Sequence, residues 1–211
     1  MIYKQQRNYE NLNKAMFPGA GPYGIPIIQP VAAVEVDNWI SFNFAKTCEE
    51  PEIHGVHFFI DDYQFVRVWN QPDTYLNRLQ KFQAVCSPDF STYTDFPKAI
   101  QIYNHYRKHW LGAYWQYNGI TVIPTISWSD RDSYDWCFDG EPVGGVVAVS
   151  SVGTQMSAET RRLFMDGYNE MMRRLNPTTV IMYGMVPDGC TGNIVPVRAF
   201  QHTLRDRVKD I

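Results

Sequence analysis

Gly55-Val56-His57-Phe58-Phe59-Ile60-Asp61-Asp62-Tyr63 is an apolar run of strand length that ends abruptly in two adjacent carboxylates. The same design recurs along the chain. Gln83-Ala84-Val85-Cys86 runs into Ser87-Pro88-Asp89-Phe90-Ser91, and Ile120-Thr121-Val122-Ile123-Pro124-Thr125-Ile126 into Ser127-Trp128-Ser129-Asp130. Val146-Val147-Ala148-Val149 precedes Ser150-Ser151-Val152-Gly153, and Thr178-Thr179-Val180-Ile181-Met182 precedes Tyr183-Gly184. Trp39 to Phe44 alternates as a further strand ahead of them. Continuous apolar runs of this length suit strands buried on both faces of a parallel sheet.

Helical patterns separate the runs. Tyr75, Leu76, Leu79 and Phe82 share one face after Asn70-Gln71-Pro72-Asp73. A longer helix, opened by Asp95 and Pro97 and stopped at Gly119, carries the stripe Ile100, Tyr103, Trp110, Tyr114 and Tyr117. Its other face, with Lys98, Gln101, His105, Lys108 and His109, reads as a solvated basic surface. The last long helix is capped by Ser157, buries Phe164, Tyr168, Met171 and Leu175, and stops at Asn176-Pro177. Between Asp62 and Asn70, Phe65-Val66-Arg67-Val68-Trp69 is β-prone, and Phe200, Leu204 and Val208 are spaced for a terminal helix.

Strand–helix alternation predicts an α/β fold with a largely parallel sheet of five to six βα units. Because nearly every strand ends in a polar cluster, a small or incomplete (β/α)-barrel-like ring is the expected form; an open doubly wound sheet is the alternative. Pro124 predicts a bulge or an incomplete ladder in its strand.

The 211 residues suit one α/β domain, 34–211, preceded by a Pro/Gly-rich arm, 1–33, that could strap two copies into a dimer. Gly19, Gly21 and Gly24 spell GxGxxG in that arm, but no strand precedes it and no helix follows, which excludes the dinucleotide reading. A net charge of −3 provides no global basic field and argues against general nucleic-acid binding. The polar amino terminus, the absence of a membrane-length apolar run and four scattered cysteines without a CxxC pair predict a soluble protein of the host cytoplasm. An aromatic share of 15% tilts the expected ligand toward flat rings that stack.

Several of these motifs, in order, carry a resemblance. His57 to Phe65, Val68-Trp69-Asn70-Gln71-Pro72, Ser87 to Tyr93, Ile123 to Trp128 and Val147 to Gly153 resemble an uncharacterised family of bacteriophage and mobile-element proteins of Gram-positive bacteria, catalogued as a domain of unknown function. The resemblance covers residues 38–184. It implies a phage or mobile-element setting and brings no activity, cofactor or catalytic residue with it.

If the strand ends share an edge, Asp61, Asp62 and Asp89 become the candidate catalytic carboxylates. Ser87, Ser91, Ser127, Trp128, Asp130, Ser150 and Tyr183 are then candidate ligand contacts. Neighbouring residues leaving a strand point to opposite sides, so one of Asp61 and Asp62 faces the pocket and the other is structural. Two or three carboxylates could divide acid and base roles, or hold a divalent cation such as Mg²⁺ or Mn²⁺. Trp128, Trp136 and Tyr134 offer stacking surfaces, and Gly153 could open an anion-binding helix start. His105 and His109 have the i, i+4 spacing of paired metal ligands, but no Glu stands between them as HExxH requires. Ser87-Pro88-Asp89 lacks the GxSxG elbow, and Asp130 to Asp135 lacks the Gly and terminal Glu of a calcium loop. The residues point to a hydrolase or transferase acting on a nucleotide, nucleobase or sugar-phosphate. The rival reading is a non-catalytic module that sequesters a nucleotide signal or binds a host protein.

Overall fold

A computed structural model describes residues 6–9 and 12–199, the first few by backbone alone. Two hairpins open it: β1 (Gln6–Tyr9) with β2 (Leu12–Ala15), and β3 (Gly19–Ala20) with β4 (Ile25–Pro26). The GxGxxG glycines therefore turn a hairpin. Four parallel strands follow in one sheet: β5 (Asn38–Ser41), β6 (His54–His57), β7 (Ala84–Cys86) and β8 (Val122–Ile123). A second sheet holds three more, β9 (Val146–Ser150), β10 (Thr179–Tyr183) and β11 (Ile194–Val197), again parallel and in chain order. No expectation covered β11; Pro196 and its half-exposed edge position hide it from an apolar-run criterion.

The two sheets meet at Pro124. Proline has no N–H to donate, so the ladder lapses after Ile123 and resumes as a single bridge between Thr125 and Ala148. Ile126 N–H donates to Ala148 O at 2.8 Å, and Ala148 N–H to Pro124 O at 2.9 Å. Side chains mend the other side of the gap. Thr125 N–H donates to Ser87 Oγ at 2.8 Å, and Thr125 Oγ1 donates to Ser87 O at 2.6 Å. Among the described residues no pairing joins β5 to β11, so the architecture is two parallel sheets flanked by helices.

The helices are α1 (Asp62–Phe65), α2 (Arg67–Asn70), α3 (Pro72–Leu79), α4 (Lys98–Tyr117) and α5 (Ala158–Leu175). The stretch expected as β-prone, 65–69, is thus helical. Phe65, Val68 and Trp69 are spaced to share one helix face, and all three are buried. Over five residues both periods fit, and burial decides. Ser157 caps α5 as expected, with a capping box through Thr160, and Asn176 ends it in the left-handed region at φ 43°. The terminal helix expected around Leu204 lies outside the described residues.

Three apolar clusters hold the layers together. One packs α1–α4 on the first sheet around Phe58, Trp110 and Trp115. A second packs α5 on the second sheet around Tyr168 and Met171. The third is the inner face, where Ala84, Cys86, Ile123, Ala148 and Ile181 from both sheets meet Trp39, Phe59 and Val197. The strands are therefore covered on both faces, the physical reason their sequences read as unbroken apolar runs.

The expected faces of α4 are corrected. Ile100 and Tyr117, placed on its core stripe, are 46% and 65% exposed. Gln101, His105, Lys108 and His109, placed on a solvated face, are buried. The helix packs not only on apolar side chains but also on backbone carbonyls of the amino-terminal segment and of the loop at 139–141. That segment packs on the body along 14–31. Ile25 and Ile28 are fully buried, Ile28 N–H donates to Gly140 O, and Val146 N–H donates to Val31 O. Lys14 is buried over the rings of Trp69 and Trp110, its Nζ donating to Trp69 O at 3.1 Å. Among the described residues no helix is long and apolar enough to cross a membrane.

Candidate functional site

A cleft of about 840 Å³ opens at the carboxyl ends of the strands. Its wall includes β5, the ends of β6, β9 and β10, β11, and the loops after β6 and β7. Asp61, Asp89, Ser91, Ser150 and Tyr183 line it together with His57. Asp62, Ser87, Ser127, Trp128 and Asp130 do not.

The adjacent carboxylates part company. Asp61 precedes α1, is exposed, and faces the cleft, accepting a bond from Gln64 Nε2 at 3.3 Å. Asp62 turns away and holds the loop after β7: Ser91 N–H bonds both of its carboxylate oxygens at 3.2 Å, and Ser91 Oγ donates to one at 2.9 Å. The same loop is held from below by Asn104 Nδ2, which donates to Ser91 O at 2.6 Å.

That loop presents Asp89. Burial raises its carboxyl to about 7, an effect that the Lys108 ammonium opposes and the Asp62 charge reinforces. One edge of Asp89 still opens on the cleft. A carboxylic acid that stays protonated near neutral pH in a cleft can donate a proton to a bound ligand. His57 lies on the same wall. Burial holds it down to about 3, so the ring is neutral. Phe59 N–H donates to its Nδ1 at 3.3 Å, which leaves Nε2 as the ring's donor. His57 also packs on Tyr183, with ring centroids 4.5 Å apart. The sequence reading gave His57 no role; the signal was a polar ring within a buried apolar run, at what proves to be the last residue of β6.

The remaining candidates have structural partners. Ser87 is fully buried, its hydroxyl and carbonyl both engaged by Thr125. Trp128 donates from its indole to Leu163 O and lies flat over α5; a Cβ on Gly167 would come within 2.1 Å of Trp128 Nε1. Asp130 caps a 3₁₀ turn by accepting from Ser133 N–H at 3.3 Å, and Ser127 is half-buried outside the cleft. Trp136 is buried edge-on against His105. The expected anion site at Gly153 is corrected as well, since the start of α5 is closed by its own capping box. All four cysteines are free thiols.

A second polar group lies sealed behind α4. Glu141 Oε1 receives Lys108 Nζ at 2.8 Å and sits 2.8 Å from His109 Nε2. Lys108 Nζ also donates to Thr125 O at 2.7 Å. His109 Nδ1 meets Pro26 O at 2.8 Å, and His105 Nε2 meets Asp139 O at 3.0 Å. Burial pushes the Glu141 carboxyl up, but the charges of His109 and Lys108 outweigh it and hold it below its ordinary value. Burial, with the charges of His109 and Lys108, keeps His105 neutral. Gly140 makes this approach feasible: it has φ +75°, and a Cβ there would stand 2.6 Å from Pro26 O. One donor atom from each of His105, His109 and Glu141 lies within 4.8 Å of the others, a potential metal-binding or catalytic centre. The i, i+4 histidines were legible in the sequence; Glu141, 32 positions beyond His109, was not.

Comparison with known proteins places the chain. It is 40% identical over 183 residues to the Gene 1 protein of Mycobacterium phage D29, covering 85% of this chain and 67% of that protein. It is 38% identical over 185 residues to the Gene 1 protein of Mycobacterium phage L5, covering 86% and 80%. No solved structure matches. A family model described as a domain of unknown function (DUF4417) matches residues 17–201, and the chain belongs to that family.

Proposed function

We propose that this chain is an enzyme, a hydrolase or transferase, that binds a ring-bearing small molecule in the cleft at the strand carboxyl ends. The observation that carries this reading is Asp89, a carboxyl raised to about 7 on the wall of a cleft that Asp61 also lines. Two carboxyl groups in such different settings divide acid from base work. Asp89 gives its proton to the leaving group, and the exposed Asp61 accepts one from the attacking water or hydroxyl. Ser150, Tyr183 and His57 orient the ligand. Phe44 and Tyr93, 51% and 61% exposed at the mouth, hold its flat face, the role the sequence assigned to Trp128.

The charge of the lining narrows the substrate. Asp37 and Asp61 stand against Arg198 among the described lining residues, with Asp89 in its protonated form. Within the class of nucleotides, nucleobases and sugar-phosphates, this balance suits a nucleoside, a base or a monophosphate better than a polyphosphate. The parallel order from β5 to β11, with an inner core shared by both sheets, supports a barrel-like ring around the cleft.

The test is a thermal-shift panel of nucleosides, bases, nucleotides and sugar-phosphates, followed by chromatography for products, on wild type and Asp89→Asn. The expected result is a shift with one class and turnover lost by about 100-fold in the variant, with binding kept. Binding without turnover in wild type would favour the sequestering module, which the exposed aromatics at the mouth also suit. No binding at all would remove the cleft from consideration.

A further inference from the structure

We propose that His105, His109 and Glu141 hold a transition-metal ion of the zinc class, as three protein ligands with a water to complete the tetrahedron, in a buried site that fastens the amino-terminal segment and the 139–141 loop to α4. The site is separate from the cleft and does not depend on the reading given to it.

The hydrogen bonds fix both ring tautomers. A carbonyl oxygen only accepts, so His105 Nε2 and His109 Nδ1 carry protons that they give to Asp139 O and Pro26 O. Imidazoles oriented by a backbone carbonyl at one nitrogen are the usual form of metal-ligating histidine, because the other nitrogen is left with its lone pair. In His105 that nitrogen is Nδ1, which is buried and has no hydrogen-bond partner among the described residues. In His109 it is Nε2, which sits 2.8 Å from Glu141 Oε1. So close an approach to a carboxylate oxygen requires positive charge there, either a proton on Nε2 or a metal ion beside it. Glu141 Oε2, also buried, lacks a partner in the same way.

A proton on His109 would satisfy one of these contacts and leave His105 Nδ1 and Glu141 Oε2 unpaired, at about 1–3 kcal/mol each. A metal ion satisfies all of them at once. Two imidazole nitrogens and a carboxylate are ligands that zinc accepts at about 2.1 Å. Ligands at that radius stand about 3.4 Å apart, so donor atoms already within 4.8 Å need only small side-chain rotations. Lys108 occupies Oε1 and leaves Oε2 for the ion. The Lys108 ammonium beside Oε1 weakens the site for a divalent cation, and its second bond, to Thr125 O, fixes where that charge sits. Because two of the side chains come from α4 and the third from the 139–141 loop, and their outer partners from β4 and that same loop, the ion would tie together three segments.

The test uses tag-free full-length protein. Metal content is measured by plasma mass spectrometry, the metal is removed with a chelator, and Co²⁺ is titrated back while visible ligand-field absorption is followed. The proposal expects near-stoichiometric zinc-class metal, a cobalt spectrum of tetrahedral type, and a melting temperature lowered by on the order of 10 °C after chelation. His105→Ala should lose the cobalt spectrum and keep its circular dichroism and its cleft ligand. If that variant fails to fold, the wild-type metal content and chelator shift decide alone. A wild type that carries no metal, gives no cobalt spectrum and melts unchanged with chelator overturns the proposal, and makes the cluster a charged core with a protonated His109.

Discussion

Asp61 and Asp89 sit on the wall of an open cleft; Lys108, His109 and Glu141 sit a few side chains away with almost none of their surface exposed. Both groups are built from charged and titratable residues, and both hang from the same elements, the strand ends and α4. They differ in what their polar atoms face. Behind α4, carbonyls of Pro26, Thr125 and Asp139 engage the cationic and imidazole nitrogens, so the charges are held in place and out of water. In the cleft, the Asp61 carboxylate has one long bond to Gln64, and Asp89 keeps an edge open. Unsatisfied atoms remain in both regions, but those of the cleft open on a space that a small molecule can enter, whereas His105 Nδ1 and Glu141 Oε2 are shut inside the protein, where only an ion fits.

Breaking the sealed region should cost most. Glu141→Gln leaves the Lys108 ammonium buried without its counter-charge, and we expect a loss of about 3–5 kcal/mol in chemical denaturation. A loss below about 1 kcal/mol would mean that the cluster is open to water and that the contrast fails.

Asp89→Asn should act in the other direction. The carboxyl is raised from 3.8 to about 7, so the folded state favours its protonated form. That contribution is complete below the unfolded value and is lost as pH rises through about 7. The variant cannot ionise, so it should be more stable than wild type at pH 8 by on the order of 2 kcal/mol, after allowance for the open edge, and should lose this advantage at acid pH. Equal pH profiles for the two proteins would show that Asp89 is solvated like an ordinary surface carboxylate. His57 gives the opposite slope, since its value is depressed to about 3. Its contribution is present above 6.5 and declines as pH falls, so His57→Phe should flatten the acid side of the stability curve.

Asp62→Ala removes the acceptor that grips Ser91 and should destabilise by about 1–2 kcal/mol while loosening the Asp89 loop, read as faster amide exchange over 89–91. The smallest effect is expected for Asp61→Asn, within about 0.5 kcal/mol of wild type, because its side chain is exposed. Under the proposed function the same variant loses turnover. Loss of stability without loss of turnover would exchange the roles of the two neighbours.

Much of the frame was legible in the chain. Val146 to Val149 and Val180 to Met182 are strands because such short runs of three or four consecutive apolar residues suit an element covered on both sides, and Ser157 to Leu175 is a helix because cap, stripe and stop agree. Pro124 was expected to break a ladder, and it is where the two sheets part. The sequence also showed that Asp61 and Asp62 could not share a role. Which one faces the cleft was decided by Ser91, twenty-nine positions on, whose backbone and hydroxyl capture Asp62.

What the chain could not reveal was the fate of its polar side chains. Periodicity reports where apolar groups are buried, because each apolar group gains by leaving water whatever its neighbour is. A buried Lys or His gains only if a particular acceptor comes to meet it. For His109 that acceptor is Pro26 O, 83 positions away, delivered by a segment that reads as a loose arm. For Trp128 it is Leu163 O, together with the space left by Gly167 on another helix. The sequence by itself determined a parallel α/β protein of this family with carboxylates at its strand ends. Only the tertiary structure decided that one face of α4 is a sealed charge cluster, and which carboxylates remain unsatisfied, because hydrogen-bond partners are set by position in space and not by spacing along the chain.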